Sequence, residues 1–206
     1  MRAILLLAIF FATATITFSA DLTGEIGGRK VILHDNQTWE FAEAAPSVPA
    51  ERLVLAKLAS QTEVLRGKSL RYTVSYDPSV WNKIQGSNRS AEFQFQNTAS
   101  SGWGMVIYEG LNYGLESLKA FVLRNAQSID PTSGYDDVQE CVVNGIPGEL
   151  CSYHAVSSGL SFEFLSFLSA TDGGTVQYTF WTLKSEFEKQ KPEFLKMISG
   201  LELSPQ

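Results

Sequence analysis

Cys141-Val142-Val143-Asn144-Gly145-Ile146-Pro147-Gly148-Glu149-Leu150-Cys151 is the stretch on which the fold turns, because it is a hairpin that can close in two ways. With Cys141 opposite Cys151, Val143 faces Glu149 and residues 144–148 make the loop. That keeps Pro147 out of the strands, where its missing N–H would cost a ladder bond. With Asn144-Gly145 as a two-residue type I′ turn, Cys141 instead faces Gly148 and the thiols are staggered. The two registers exclude each other. We expect the first, with a Cys141–Cys151 disulfide, since directly opposed strand residues have Cα separations that a bridge can span and an exported chain meets oxidising conditions. Closing so short a loop would stabilise the fold by about 2–3 kcal/mol. No Cys-x-x-Cys spacing or flanking base points to redox chemistry, and two buried free thiols are the other reading.

Downstream, Ser161–Ala170 and Thr175–Thr182 read as strands joined by a turn at Asp172-Gly173-Gly174. Val176, Tyr178 and Phe180 alternate with Thr175, Gln177 and Thr179, so this strand buries one face. In the earlier strand Phe162, Phe164 and Leu168 point one way, Leu165 and Phe167 the other. Apolar on both sides, it belongs in the middle of a sheet covered on both faces.

At the start, Met1-Arg2, an apolar run from Ala3 to Ala12 and small residues up to Ala20 have the plan of a secretory signal peptide. Thr13, Thr15 and Thr17 interrupt the run, so it is expected to be cleaved rather than kept as an anchor. The 206-residue chain has 16 basic against 22 acidic residues and a formal net charge of −6. Such a balance argues against a nucleic-acid or anionic-membrane partner. The expected location is periplasmic or secreted.

Gly28 to Phe41 reads as two short strands around a polar turn. It resembles a hairpin found in exported bacterial proteins, Gly-x-x-Val-x-Leu-x-Asp-Asp-Gly-Thr-Trp-x-aromatic, with Gln37 in the glycine position. Residues 42–49 are a linker rich in Ala and Pro, and Pro49 can open a short helix to about Ser60. The expected organisation is therefore a signal peptide at 1–20, a hairpin, linker and short helix at 21–64, and a main domain at 65–206.

Leu70–Tyr76 alternates and stops at Asp77-Pro78, with Trp81 close behind; Ala91–Gln96 alternates again, and Trp103–Tyr108 is apolar on both faces. Leu115, Leu118, Val122 and Ile129 make the single stripe of a helix that packs on a sheet. The last helix is expected to start at Ser185, capped with Glu188, to kink or restart at Pro192 and to stop at Gly200 in an αL conformation. Leu201-Glu202-Leu203 follows as an edge strand.

This order, with Tyr76-Asp77-Pro78 and Trp81 opening it and Phe187…Pro192-x-Phe194…Met197-Ile198-x-Gly200 closing it, resembles the PsbP/DcrB-like family, whose sandwich a Ran-binding nuclear import factor shares. The similarity runs over roughly residues 65–203. It implies an α/β (α+β) fold with a central, mainly antiparallel sheet and helices packed on both faces. It also implies attachment to a protein or lipid partner rather than catalysis.

Chemistry has few candidates. His34 lies beside Asp35, and a serine hydrolase would have to recruit His154 with Asp136 or Asp137, but a metal site needs three or four ligands and no Gly-x-Ser-x-Gly elbow is present. Asp136-Asp137 and Glu186/Glu188 are read as solvated charges, because neighbours in a strand point to opposite faces. Trp81, Trp103, Tyr108 and Trp181 are candidate binding aromatics for a groove beside the sheet, though the strands they occupy favour them as core residues. The expected function is an exported, soluble, non-enzymatic binding or accessory module of the bacterial cell envelope, with no cofactor or metal. A carrier of a small apolar ligand under the Leu115–Ile129 helix and a hydrolase using His154 are the alternatives.

Overall fold

A computed structural model describes residues 22–26, 29–34, 38–41, 52–69 and 71–204. The expected signal peptide and the linker at 42–49 lie outside these residues. The chain divides into two units, 1–50 and 51–206. In the first, β1 (Leu22–Ile26), β2 (Arg29–Leu33) and β3 (Trp39–Phe41) form an antiparallel sheet, so the expected hairpin gains a third strand. Leu33 pairs with Trp39, and His34 N–H donates to Thr38 O at 2.9 Å.

The second unit begins earlier than expected, at Glu51. Where the sequence suggested a short helix before Ser60, residues 53–55 form strand β4 (Leu53–Leu55). It pairs in parallel with β10 (Tyr135–Val143), and Leu53 and Leu55 pack on the core. That burial outweighs the weak helical pattern of the segment. An eight-stranded sheet runs in the order β4, β10, β11 (Ile146–Ser157), β12 (Leu160–Thr171), β13 (Gly174–Leu183), β9 (Trp103–Glu109), β8 (Phe93–Asn97), β7 (Trp81–Ile84). All pairs but β4–β10 are antiparallel. A smaller sheet holds β6 (Tyr72–Tyr76) between β5 (Glu63–Arg66) and β14 (Leu201–Leu203). The helices are α1 (Leu115–Gln127) and α2 (Phe187–Ile198).

The deciding hairpin closes by the short turn. Asn144 and Gly145 both have positive φ, 47° and 84°, which the type I′ turn requires and which Asn and Gly adopt at least cost. Cys141 therefore pairs with Gly148, and Val138 with Cys151. Cys151 lies an odd three residues beyond Gly148, so the thiols point to opposite faces of the sheet and the expected disulfide does not form. Both cysteines are free and buried. Tertiary contacts favour the same register. The Asn144 amide donates to Ser199 O and Leu201 O, each at 2.7 Å, and its Oδ1 accepts from Lys57 N–H at 2.9 Å. Val143 and Ile146 beside the turn are buried.

Period-2 alternation assigns each sheet residue to a face. Leu165, Phe167, Val106, Tyr178 and Phe180 face α2 and the smaller sheet. Trp81 lies there against Phe180 and Phe194, with ring centroids 5.4 and 6.1 Å apart. Cys151, Tyr153, Phe164 and Leu168 face α1, which buries Leu118, Val122 and Ala126 on them. Helices thus pack on both faces, and the mixed α/β class read from the sequence holds.

Two details at the C-terminal helix differ from expectation, and at Pro192 the helix continues rather than restarting. Ser185 falls in a 3-10 turn at Lys184–Glu186, Glu186 is the N-cap and no side chain caps α2. Pro192 lies inside one helix, tolerated because its sixth position costs a single hydrogen bond to the first turn. Gly200 is absent from the positive-φ residues. It is needed for space instead, since a Cβ there would collide with the carbonyl of Ser75.

Candidate binding face

The sheet register lines up residues from strands far apart in sequence. Tyr135 pairs with Tyr153, Tyr153 with Phe164, Phe164 with Trp181, Trp181 with Trp103, Trp103 with Gln96, and Gln96 with Asn82. Directly paired residues share a face, so one row crosses β10, β11, β12, β13, β9, β8 and β7 on the side that carries α1. The helix covers the tyrosine end, where Tyr135 donates its hydroxyl to Lys119 O at 2.8 Å. Tyr153 is buried and stacks on Phe164 at 4.8 Å with the planes 3° apart; Phe164 leans on Trp181 at 6.2 Å and 30°. Phe164, Trp181, Trp103 and Gln96 are half-buried and Asn82 is exposed.

The adjacent row on this face holds Ser166, Thr179, Met105, Gln94 and Ile84. Gln94 is tied to the loop before its strand: Nε2 donates to Asn88 O at 3.0 Å and Oε1 accepts from Asn88 N–H at 3.3 Å. The Gln96 and Asn82 amides engage no other described residue. Across both rows, from β12 to β7, no strand position carries a charge.

Of the four candidate aromatics, the structure brings Trp103 and Trp181 together and separates them from Trp81 and Tyr108. Trp81 is 2% exposed in the core beside α2. Tyr108 pairs with Val176 on that same face, stacks on Tyr72 at 5.0 Å and donates to Gly173 O. The sequence reading missed Phe164, Gln96 and Asn82. Phe164 was within reach: counting back from the Asp172-Gly173 turn, where Thr171 pairs with Gly174, places it opposite Trp181.

A cavity of about 240 Å³ lies between α1 and the sheet. Ile107, Leu118 and Phe121 line it, but so do Glu109, Tyr113, Asn125 and Gln177, and Tyr113 donates to Glu109 at 2.7 Å. An apolar ligand there would cut these polar groups off from water.

His154 and Asp136 meet on the opposite face. A bulge between Tyr135 and Asp137 leaves Asp136 outside the ladder and turns its carboxylate to His154 Nδ1, with contacts of 2.8 and 3.0 Å. Asp137 pairs with Ser152, two residues from His154. The bulge thus sends neighbouring carboxylates to one face, contrary to simple alternation. Across the strand His154 faces Glu163, whose carboxyl is pushed up, first by desolvation, against the pull of Lys184 at 3.8 Å. The imidazole is oriented as a general base would be, but no hydroxyl or thiol among the described residues hydrogen-bonds it. Among those residues, too, no three metal-ligating side chains gather, and no helix is long and apolar enough to cross a membrane.

No family model matches the sequence, and no curated protein does. Among solved structures, cyanobacterial PsbP (CyanoP) from Synechocystis sp. PCC 6803 is similar at a TM-score of 0.51 and 9% identity, over 69% of this chain and 92% of that one. A protein from Bacteroides thetaiotaomicron VPI-5482 has a TM-score of 0.47 at 13% identity, over 71% and 50% of the two chains. LpqN, described as involved in cell envelope biogenesis of Mycobacterium tuberculosis, has 0.45 at 11%, over 69% and 90%. Likeness at such identity carries the architecture and not the activity. The chain has the PsbP-like fold.

Proposed function

We propose that this chain is a non-enzymatic binding module of the bacterial cell envelope, engaging its partner through the part of the sheet face that α1 leaves open. One observation carries the reading: Phe164, Trp181 and Trp103 stand half-exposed on three adjacent strands, in a stretch of face with no charged strand position. A sheet face clear of its own helix normally turns polar. Aromatic side chains kept there have the area and low entropy cost of binding anchors. The signal-like segment at residues 1–20 and the exported-protein hairpin motif support an envelope location.

A benzophenone photocrosslinker in place of Asn82, at the end of the row, tests the reading in the cells that make the protein, because it inserts into C–H bonds of any partner class. An adduct is expected that disappears with Trp181→Ala and is absent when the crosslinker replaces Lys189 on α2. Equal adducts at both positions, or one indifferent to Trp181, would contradict it. The hydrolase alternative has its own readout: His154→Ala would abolish turnover, whereas a binding module keeps its adduct.

A further inference from the structure

We infer that the partner of this face is a neutral glycan chain, lying across the strands along Trp181, Trp103, Gln96 and Asn82. The inference rests on the binding reading above and names the chemistry of its occupant. Four adjacent strands, β13, β9, β8 and β7, supply these residues in register, and three strand spacings make a track of about 14 Å. That is room for a short oligosaccharide.

The order of side chains matches what a sugar offers. A pyranose ring has apolar C–H faces and an edge of hydroxyls that both donate and accept. Trp181 and Trp103 provide apolar aromatic surface for the first, and the Gln96 and Asn82 amides, each with a carbonyl acceptor and an NH₂ donor, serve the second. Both amides engage no other described residue, while Gln94 in the next row is committed to Asn88. Tyr153 and Phe164 brace Trp181 from the helix-covered side. The anchor is therefore held in place before the ligand arrives, which lowers the entropy lost on binding.

Charge selects among ligand classes. The protein carries a net −6, and this stretch of face has no basic strand position to receive a phosphate, sulfate or carboxylate. An anionic lipid headgroup or acidic polysaccharide would meet overall repulsion without a local counter-ion. A cation would find no carboxylate in either row. An uncharged polymer with apolar faces and hydroxyl edges fits what remains.

Tryptophan emission of the full protein, titrated with chitotetraose, cellotetraose and maltotetraose and with tetragalacturonate as the anionic control, tests the inference. At least one neutral tetramer is expected to give a saturable change, and tetragalacturonate none. Trp103→Ala or Trp181→Ala should weaken the binding, read by calorimetry, about tenfold or more. Gln96→Ala, which leaves the aromatic rings in place, should weaken it about three- to tenfold. Silence with all three neutral tetramers, equal binding of the anionic one, or indifference to these substitutions overturns the glycan assignment. If the crosslinker at position 82 then still traps a protein or lipid in a Trp181-dependent way, the binding face stands with another occupant; if it traps nothing, both readings fall together.

Discussion

The two faces of the eight-stranded sheet carry similar numbers of large side chains and use them differently. On the α2 side, Phe95, Phe167, Tyr178, Phe180 and Trp81 are sealed by the helix, through Phe194, and by the smaller sheet. On the α1 side the helix seals only the part near Tyr153 and Leu168, and the rings continue past its edge through Phe164 to Trp181 and Trp103. Sealed rings contribute stability in proportion to the area they lose to packing. Rings left half-open keep part of that area for a partner. Exposure, set by how much of a face its helix covers, is what distinguishes the proposed anchors from the core here; residue type does not.

The sharpest way to break this comparison is at Trp81. Trp81→Ala opens a cavity among Phe180 and Phe194 and should cost about 3–5 kcal/mol in urea unfolding. A loss below about 1.5 kcal/mol would mean that the sealed face is not the core. Asn144→Ala removes a side chain that makes three hydrogen bonds to backbone groups and should cost about 2–3 kcal/mol. Asn144→Asp, which keeps the acceptor for Lys57 and loses both donations, should recover only part of that.

The thiols report on the register beneath both faces. Burial pushes Cys141 up to about 11, and burial with the help of Glu149 pushes Cys151 up to about 12. Neither is a thiolate at pH 8, so both should react with Ellman's reagent only on unfolding. The native mass should equal that of the same chain with both thiols reduced; a mass two hydrogens lighter would restore the other hairpin.

The smallest effect is expected at Glu163. Its carboxyl is pushed up by desolvation, and Oε2 is buried without a partner. A carboxyl raised in the folded state favours folding while protonated, and the advantage is lost as pH rises from its unfolded pKa through its folded one. Glu163→Gln should therefore stabilise the protein by about 1 kcal/mol at pH 7. The gain should vanish below the ordinary carboxylate range, and thermal melts at pH 4 and 7 would show it.

Local patterns and long-range pairings were not equally legible in the sequence. Alternation in residues 161–182 gave the β12–β13 hairpin, since period 2 and a Gly-Gly turn are local signals. The choice between two registers at residues 141–151 went the wrong way because a possible covalent bond was weighed above the φ > 0 preference of Asn144-Gly145. What the sequence could not show was Asn144 reaching Ser199 and Leu201, more than fifty residues away. The same limit split the aromatic foursome. Alternation says which residues of one strand share a face, but that β13 lies beside β9, bringing Trp181 opposite Trp103, is a product of topology.

The most direct test of the account is urea unfolding of the Trp103→Ala/Trp181→Ala double variant, followed on the same samples by crosslinking from position 82. The account predicts a stability loss within about 1.5 kcal/mol together with disappearance of the adduct. A loss as large as that of Trp81→Ala, or an adduct that survives, would place these rings in the core and contradict the claim that the open half of the face is built for binding.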